Sequence, residues 1–210
     1  MINIIIPTLK IDERLIELLK DLPDDVIIVN GGNQTYSLAH YNIINSNPGR
    51  GLQLATGANF AARDWLLFLH GDSKLPMGWY QQLEDHIENY PDKAMAFTLK
   101  FDDDGFFPRL LEYWVRFRCY VFSLPYGDQG LFISRSLYDQ VGGYKDMALM
   151  EDVDMIRRIG RRRLKMSSLE IITSAQKYNQ YGYLIRMFRN GFCLLLYKFG
   201  VSPNFIKKIY

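Results

Sequence analysis

An α/β fold with a mainly parallel central sheet is predicted by three observations. Apolar runs of strand length recur at residues 2–6, 26–29 and 65–69, interrupted only by Asn3, and such runs mark strands covered on both faces. Segments with helical spacing alternate with them, which calls for right-handed parallel crossovers. The third run passes through His70-Gly71 to Asp72. That places a carboxylate beyond the carboxyl end of a buried strand, where open α/β sheets bind their ligands.

Taken in order, the first strand gives way to a helix over residues 12–22. There Leu15, Ile16, Leu18, Leu19 and Leu22 repeat at helical spacing, with Asp12 and Glu13 at the favourable amino end. Pro23 stops it. The second strand, 25–30, runs into the flexible loop Gly31-Gly32-Asn33, and residues 43–45 form a short third strand. Asn47-Pro48-Gly49-Arg50-Gly51 leads into a helix over 52–62, and the strand that delivers Asp72 is followed by a proline-initiated helix over 77–90. Further strands are expected at 94–99, 131–134, 164–167 and 170–174, with helices at 106–122 and from Met150 onward. Residues 181–210 form one or two amphipathic helices, so that a single domain over 1–210 ends in a helical extension beginning near residue 175.

The 210 residues, 48% hydrophobic and 23% charged, have the proportions of one globular domain and exclude disordered and fibrous classes. No stretch reaches the roughly 18 consecutive apolar residues that span a bilayer. The run at 2–6 is too short for a signal peptide and has no basic leader. Cys119 and Cys193 lack the spacing of a metal knuckle or redox pair and read as buried free thiols of a reducing compartment. A cytoplasmic protein is therefore expected.

The net charge of +2 conceals an asymmetry. Residues 155–210 carry twelve Lys and Arg against one acid, Glu170, or +11, and the first 154 residues carry −9. A segment this basic suits an anionic partner: nucleic acid, anionic lipid or a phosphorylated substrate. A solvated basic surface balancing the acidic half fits equally. Residues 106–122 crowd aromatics such as Phe106, Tyr113, Trp114, Phe117 and Tyr120 around Arg109, Arg116 and Arg118. Core packing uses about half of them, and the excess points to an interface with lipid or with a long apolar acceptor.

Several loop residues stand out as chemistry. Asp72, after a glycine that admits close backbone approach, suits a divalent cation and through it the phosphates of a nucleotide; an ordinary Gly-Asp turn with Asp72 as a cap fits as well. Arg50 at a helix start suits phosphate beside backbone amides, or solvent. Glu151, Asp152 and Asp154 open a helix, where acids are favourable whatever their role. They are singled out by the company of Asp72 and Asp128, each beside a glycine.

Together these residues resemble family 2 glycosyltransferases of the GT-A type, over most of the chain. Ile4-Ile5-Ile6-Pro7-Thr8-Leu9 is similar to the family's opening strand, Val29-Asn30-Gly31-Gly32 to its nucleotide loop, and Gly49-Arg50-Gly51-Leu52-Gln53 to the segment before its donor helix. His70-Gly71-Asp72 stands at the metal-binding Asp-x-Asp, and Gly127-Asp128-Gln129, Val141-Gly142-Gly143-Tyr144 and Glu151-Asp152 follow in order. A small bacterial subgroup with His-Ala-Asp and Gly-Asp-Gln motifs is the most similar. The resemblance implies a GT-A (nucleotide-diphospho-sugar transferase) fold and inverting, metal-dependent transfer of a sugar from a nucleotide donor, a UDP-sugar, to a hydroxyl. Asp72 would hold Mg²⁺ or Mn²⁺, and Pro7, Thr8, Asn30, Gly31, Arg50, Gln53, His70 and Gly71 would bind the donor. Asp128 and Gln129 would line the acceptor side, and Asp152 would be the general base with Glu151 beside it. Two departures stand against this pattern: Lys10-Ile11 replaces the family's Asn-Glu, with Glu13 nearby, and Asn30 replaces its base-reading aspartate.

The basic, aromatic carboxyl-terminal part adds an anionic membrane surface or a lipid-linked acceptor as partner, with the protein peripheral at the inner face of the membrane. Three other readings compete. A nucleotidyltransferase would need a glycine-rich, lysine-bearing signature that the amino terminus lacks. A non-catalytic nucleotide-sugar or lipid-binding protein that retains the fold fits Lys10, Ile11 and Asn30. Nucleic-acid binding is disfavoured, because the basic residues are interleaved with aliphatics such as Leu194-Leu195-Leu196 and no RNA or DNA module is present.

Overall fold

A computed structural model describes residues 1–38, 40–174 and 182–210. In chain order its first half comprises β1 (Ile2–Thr8), α1 (Glu13–Lys20), β2 (Val26–Asn30), β3 (Asn42–Asn45), α2 (Arg50–Phe60), β4 (Trp65–Phe68), β5 (Ser73–Lys74) and α3 (Trp79–Asn89). The second half comprises β6 (Ala94–Phe101), α4 (Phe106–Phe122), a 3-10 turn (Gly127–Gln129), β7 (Leu131–Ser134), α5 (Arg135–Gln140), α6 (Glu151–Ile159), β8 (Leu164–Thr173), α7 (Tyr183–Lys198) and α8 (Pro203–Ile209). The strands make one mixed, eight-stranded sheet in the order β3-β2-β1-β4-β7-β6-β8-β5.

The parallel core expected from the apolar runs is β3-β2-β1-β4. Strand β7 runs antiparallel to both β4 and β6, and β5 antiparallel to β8. Alternation along each strand divides the core between the two faces of the sheet. Ile5, Ile27, Val29, Leu66 and Phe68 pack on one side with α2 and α6. Ile4, Ile6, Val26, Ile28, Leu67 and Leu69 pack on the other with α1 and α3. Burying each such side chain contributes about 1.5–3 kcal/mol, which fixes the strand ends. Pairing of Thr8 with Asn30 and of Ile5 with Phe68 brings the carboxyl ends of β1, β2 and β4 to one edge. At Gly57 a Cβ would lie 2.5 Å from Ile5 Cγ2, so only glycine lets α2 lie directly on the sheet beneath that edge.

Two elements differ notably from the expectation. Helix α3 begins at Trp79 rather than Met77, because Gly78 takes a left-handed conformation (φ 76°) just before it. The strands expected at 164–167 and 170–174 are one strand, β8, with a register shift opposite Ala96–Thr98 where Ser167 Oγ accepts the Leu169 N–H at 2.9 Å. Helices α7 and α8 occupy the carboxyl-terminal stretch, and residues 175–181, where the extension was expected to begin, lie outside the described residues. Among the described residues no helix is long and apolar enough to cross a membrane.

Candidate active site

The shared strand edge opens into a cleft of about 590 Å³. Its floor is Pro7 and Thr8 of β1 and the His70-Gly71-Asp72 loop, and one wall is Arg50 and Gln53 of α2. Lys10, Arg14 and, from α8, Lys207 add positive charge. A cleft this size, lined by several cations beside two acids, Asp12 and Asp72, suits a compact anion carried on a larger organic group.

Arg50 connects this cleft to a second cavity. Its Nε lies 3.4 Å from Glu151 Oε1, and its guanidinium packs on Gly127, where a Cβ would lie 2.3 Å from Nη2. Burial opposes the Arg50 charge, but Glu151, Asp152, Tyr144 and Asp128 outweigh it, and the group is held firmly protonated. Glu151 is buried; burial and then Asp152 push its carboxyl above the usual range, and Arg50 opposes them. The segment carrying these acids is tightly held. Met150 adopts a left-handed conformation (φ 68°) immediately before α6, a strained geometry for a non-glycine residue. Asp152 accepts the Gly127 N–H at 2.8 Å through Oδ2 and the Val153 N–H at 2.7 Å through Oδ1.

The second cavity, about 160 Å³, is bordered by Arg50, His70, Asp72, Gly127, Asp128 and Asp152. Its carboxylates come from three separate segments that the sheet edge gathers: the loop after β4, the 3-10 turn and the first turn of α6. His70 Nδ1 lies 2.7 Å from Asp72 Oδ1. Among the described residues Asp128 Oδ1 is buried without a hydrogen-bond partner, and burial pushes this carboxyl up against the pull of Arg118, His70 and Arg50. Asp72 offers the hard oxygens that a divalent cation takes, and the orphaned Asp128 oxygen is open to a further ligand. Among the described residues no three such side chains are gathered closely enough to hold a metal alone, so a bound phosphate would have to complete the shell.

The structure thus brings Pro7, Thr8, Arg50, Gln53, His70, Gly71, Asp72, Asp128 and Asp152 to two connected cavities, with Glu151 behind Arg50. Three expected site residues are turned elsewhere. Asn30 and Gly31 are buried and border neither cavity. Asn30 donates to the Gln34 carbonyl at 2.8 Å and to Asn45 Oδ1 at 3.1 Å, and accepts the Gly32 N–H at 3.0 Å. An aspartate there would set a charged acceptor against the Gln34 carbonyl, which accounts for the departure at this position. Gln129, expected on the acceptor side, points into the core: its Nε2 donates to the Phe97 carbonyl at 2.9 Å and its Oε1 accepts the Tyr126 N–H at 3.1 Å. Gln53 reaches the cleft, but its Nε2 is committed to the Thr8 and Val29 carbonyls, each at 2.8 Å. Glu13 is exposed on α1, away from both cavities.

Sequence reasoning missed residues that arrive from far along the chain. Tyr126, Thr173, Ser174, Arg186, Asn190 and Tyr210 complete the second cavity. One signal was present, since Arg186 and Asn190 are four apart and share a helix face.

No protein-family model and no curated protein sequence matches this chain. Solved structures do. TarS residues 1–349 from S. aureus superpose with a TM-score of 0.60 at 14% identity over 83% of this chain and 60% of that one. The same fragment in complex with UDP-GlcNAc gives 0.59 at 13% over 82% and 58%, and in complex with UDP 0.60 at 14% over 85% and 62%. The likeness shows the fold, a mixed α/β sheet flanked by helices as expected from the sequence. The chain spans about 60% of the length of the TarS fragment.

Proposed function

We propose that the chain is a glycosyltransferase that moves a sugar from a nucleotide-diphosphate donor to a hydroxyl acceptor, with inversion and with Mg²⁺ or Mn²⁺. One observation carries the reading: a large cationic cleft at the sheet edge meets, at Arg50, His70 and Asp72, a smaller cavity bordered by Asp128 and Asp152. Donor and acceptor compartments joined at carboxylates are what a single displacement requires. The structural neighbour binds UDP and UDP-GlcNAc, which favours a UDP-sugar.

The donor diphosphate lies in the cleft against Lys10, Arg14, Arg50 and Lys207. Asp72, supported by His70, would hold the cation, and Asp128 lines the acceptor side. The cation, when bound, neutralises charge developing on the departing diphosphate, a stabilisation of several kcal/mol. Asp152 takes the acceptor hydroxyl's proton as that oxygen attacks the anomeric carbon, and the bond from this carbon to the diphosphate breaks with its electron pair leaving on the nucleotide. Both Asp152 oxygens receive backbone N–H groups, which aim the carboxylate. Glu151 is committed to Arg50 and positions it. UDP release from UDP-GlcNAc with Mn²⁺ tests the proposal: activity should stand well above that of Asp72→Ala and fall to that background with chelator. Equal rates for the two proteins would leave a non-catalytic binder.

The acceptor side faces a membrane. Phe106, Tyr113 and Tyr120 of α4 are 71–81% exposed, and Phe188 of α7 and Phe199 just after it are 70% and 79% exposed. Lys198 lies 5.0 Å from the Phe122 ring centroid, setting a cation among the aromatics as interfacial helices do. The protein should pellet with vesicles containing anionic lipid and remain in solution with neutral ones; indifference to both would remove the membrane from the account.

A further inference from the structure

Between α4 and α7 runs a cavity of about 110 Å³ that nothing in the donor or base chemistry uses. Its walls are apolar: Leu99 of β6, Leu111 and Val115 of α4, and Met187 and Leu194 of α7. One end is different. Tyr126, Asp128 and Asn190 border both this cavity and the one containing Asp152, so the two meet there.

At that junction, among the described residues, three buried polar atoms lack hydrogen-bond partners: Asp128 Oδ1, Asn190 Oδ1 and Arg118 Nε. Arg118 is 7% exposed, stacks over the Tyr126 ring at 3.3 Å and borders the cavity. A buried guanidinium that leaves a donor unfilled is costly unless a ligand completes it. Two open acceptors beside one open donor match a head group carrying hydroxyls and an acceptor oxygen. Beyond them the walls offer only hydrocarbon, until Lys198 and Phe122 at the outer end beside the exposed aromatic surface.

We infer that this cavity is a binding channel for the hydrocarbon chain of an amphiphilic acceptor, whose hydroxyl-bearing head sits at Asp128, Asn190 and Arg118. The inference rests on the acceptor reading above and deepens it. The acceptor is lipid in nature, and its chain passes between α4 and α7 to the helix faces that meet the membrane.

Gly191 makes the channel testable. It borders the cavity, and a Cβ built there meets nothing within 4 Å. Gly191→Leu therefore fills the channel without a backbone clash, and replacing a helical glycine favours α7. The probes are butyl and decyl β-glucoside below their micellar concentrations, titrated calorimetrically, with UDP and Mn²⁺ titrated on the same samples. In the wild-type protein decyl glucoside should bind at least about tenfold more tightly than butyl glucoside. Gly191→Leu should abolish that difference and leave the UDP isotherm unchanged. Equal binding of the two glucosides by the wild type, or a chain-length preference that survives Gly191→Leu as adsorption on the outer aromatic faces, would overturn the channel. A preference sensitive to Gly191 in a protein that fails to bind UDP would keep the channel and remove the donor reading.

Discussion

Asp152→Asn is expected to slow sugar transfer by about 10²–10⁴-fold, the usual contribution of a positioned general base, while the dissociation constant for UDP changes by less than about twofold. The amide retains the shape of the side chain and one acceptor oxygen for the Gly127 or Val153 N–H. It has no lone pair basic enough to take a proton. Asp152 borders the acceptor cavity and is absent from the lining of the donor cleft, so the loss belongs to the chemical step. Steady-state transfer kinetics beside calorimetric titration with UDP and Mn²⁺ separate the two. Proportional loss of both would assign Asp152 to holding the donor, and base catalysis would have to come from elsewhere.

The second large effect is on stability. Gln129→Ala is expected to cost about 3 kcal/mol or more, because it leaves the Phe97 carbonyl and the Tyr126 N–H buried and unpaired at about 1–3 kcal/mol each and opens a void among Arg118, Cys119 and the turn. For a chain of this length that lowers the melting temperature by roughly 6–12 °C. Activity falls as well, since the turn carries Asp128. Thermal unfolding is the deciding measurement. A melting temperature within about 2 °C of wild type, together with lost transfer, would return Gln129 to the acceptor surface where its motif suggested it belonged.

That residue illustrates what a sequence conveys and what it withholds. The apolar runs at 2–6, 26–29 and 65–69 made the parallel core legible, because burial on both faces leaves a pattern that local reading detects. The Gly-Asp loop at Asp72 was legible for the same reason: it ends such a run. Side-chain direction was not. Gln129 and Asn30 stand beside glycines in loops expected to face substrate, yet each has inward partners distant in the chain, Phe97 and Asn45, and hydrogen bonds between distant residues leave no periodicity. The antiparallel insertion of β7 was hidden too, since Leu131–Ser134 is apolar in the way a parallel strand is. Tyr210 and Asn190, over the active cavity, were read only as parts of an amphipathic tail. Their helices return to cover the site, and only packing reveals it.

The measurement that bears most directly on the central claim is calorimetric titration of the protein with UDP, GDP and TDP, each with Mn²⁺ and then with chelator. The account predicts that UDP binds, that chelator weakens it by tenfold or more, and that Asp72→Ala binds UDP equally weakly with and without the metal. Binding of none of the three nucleotides would contradict it, and the cationic cleft at the sheet edge would then have to serve a different anion.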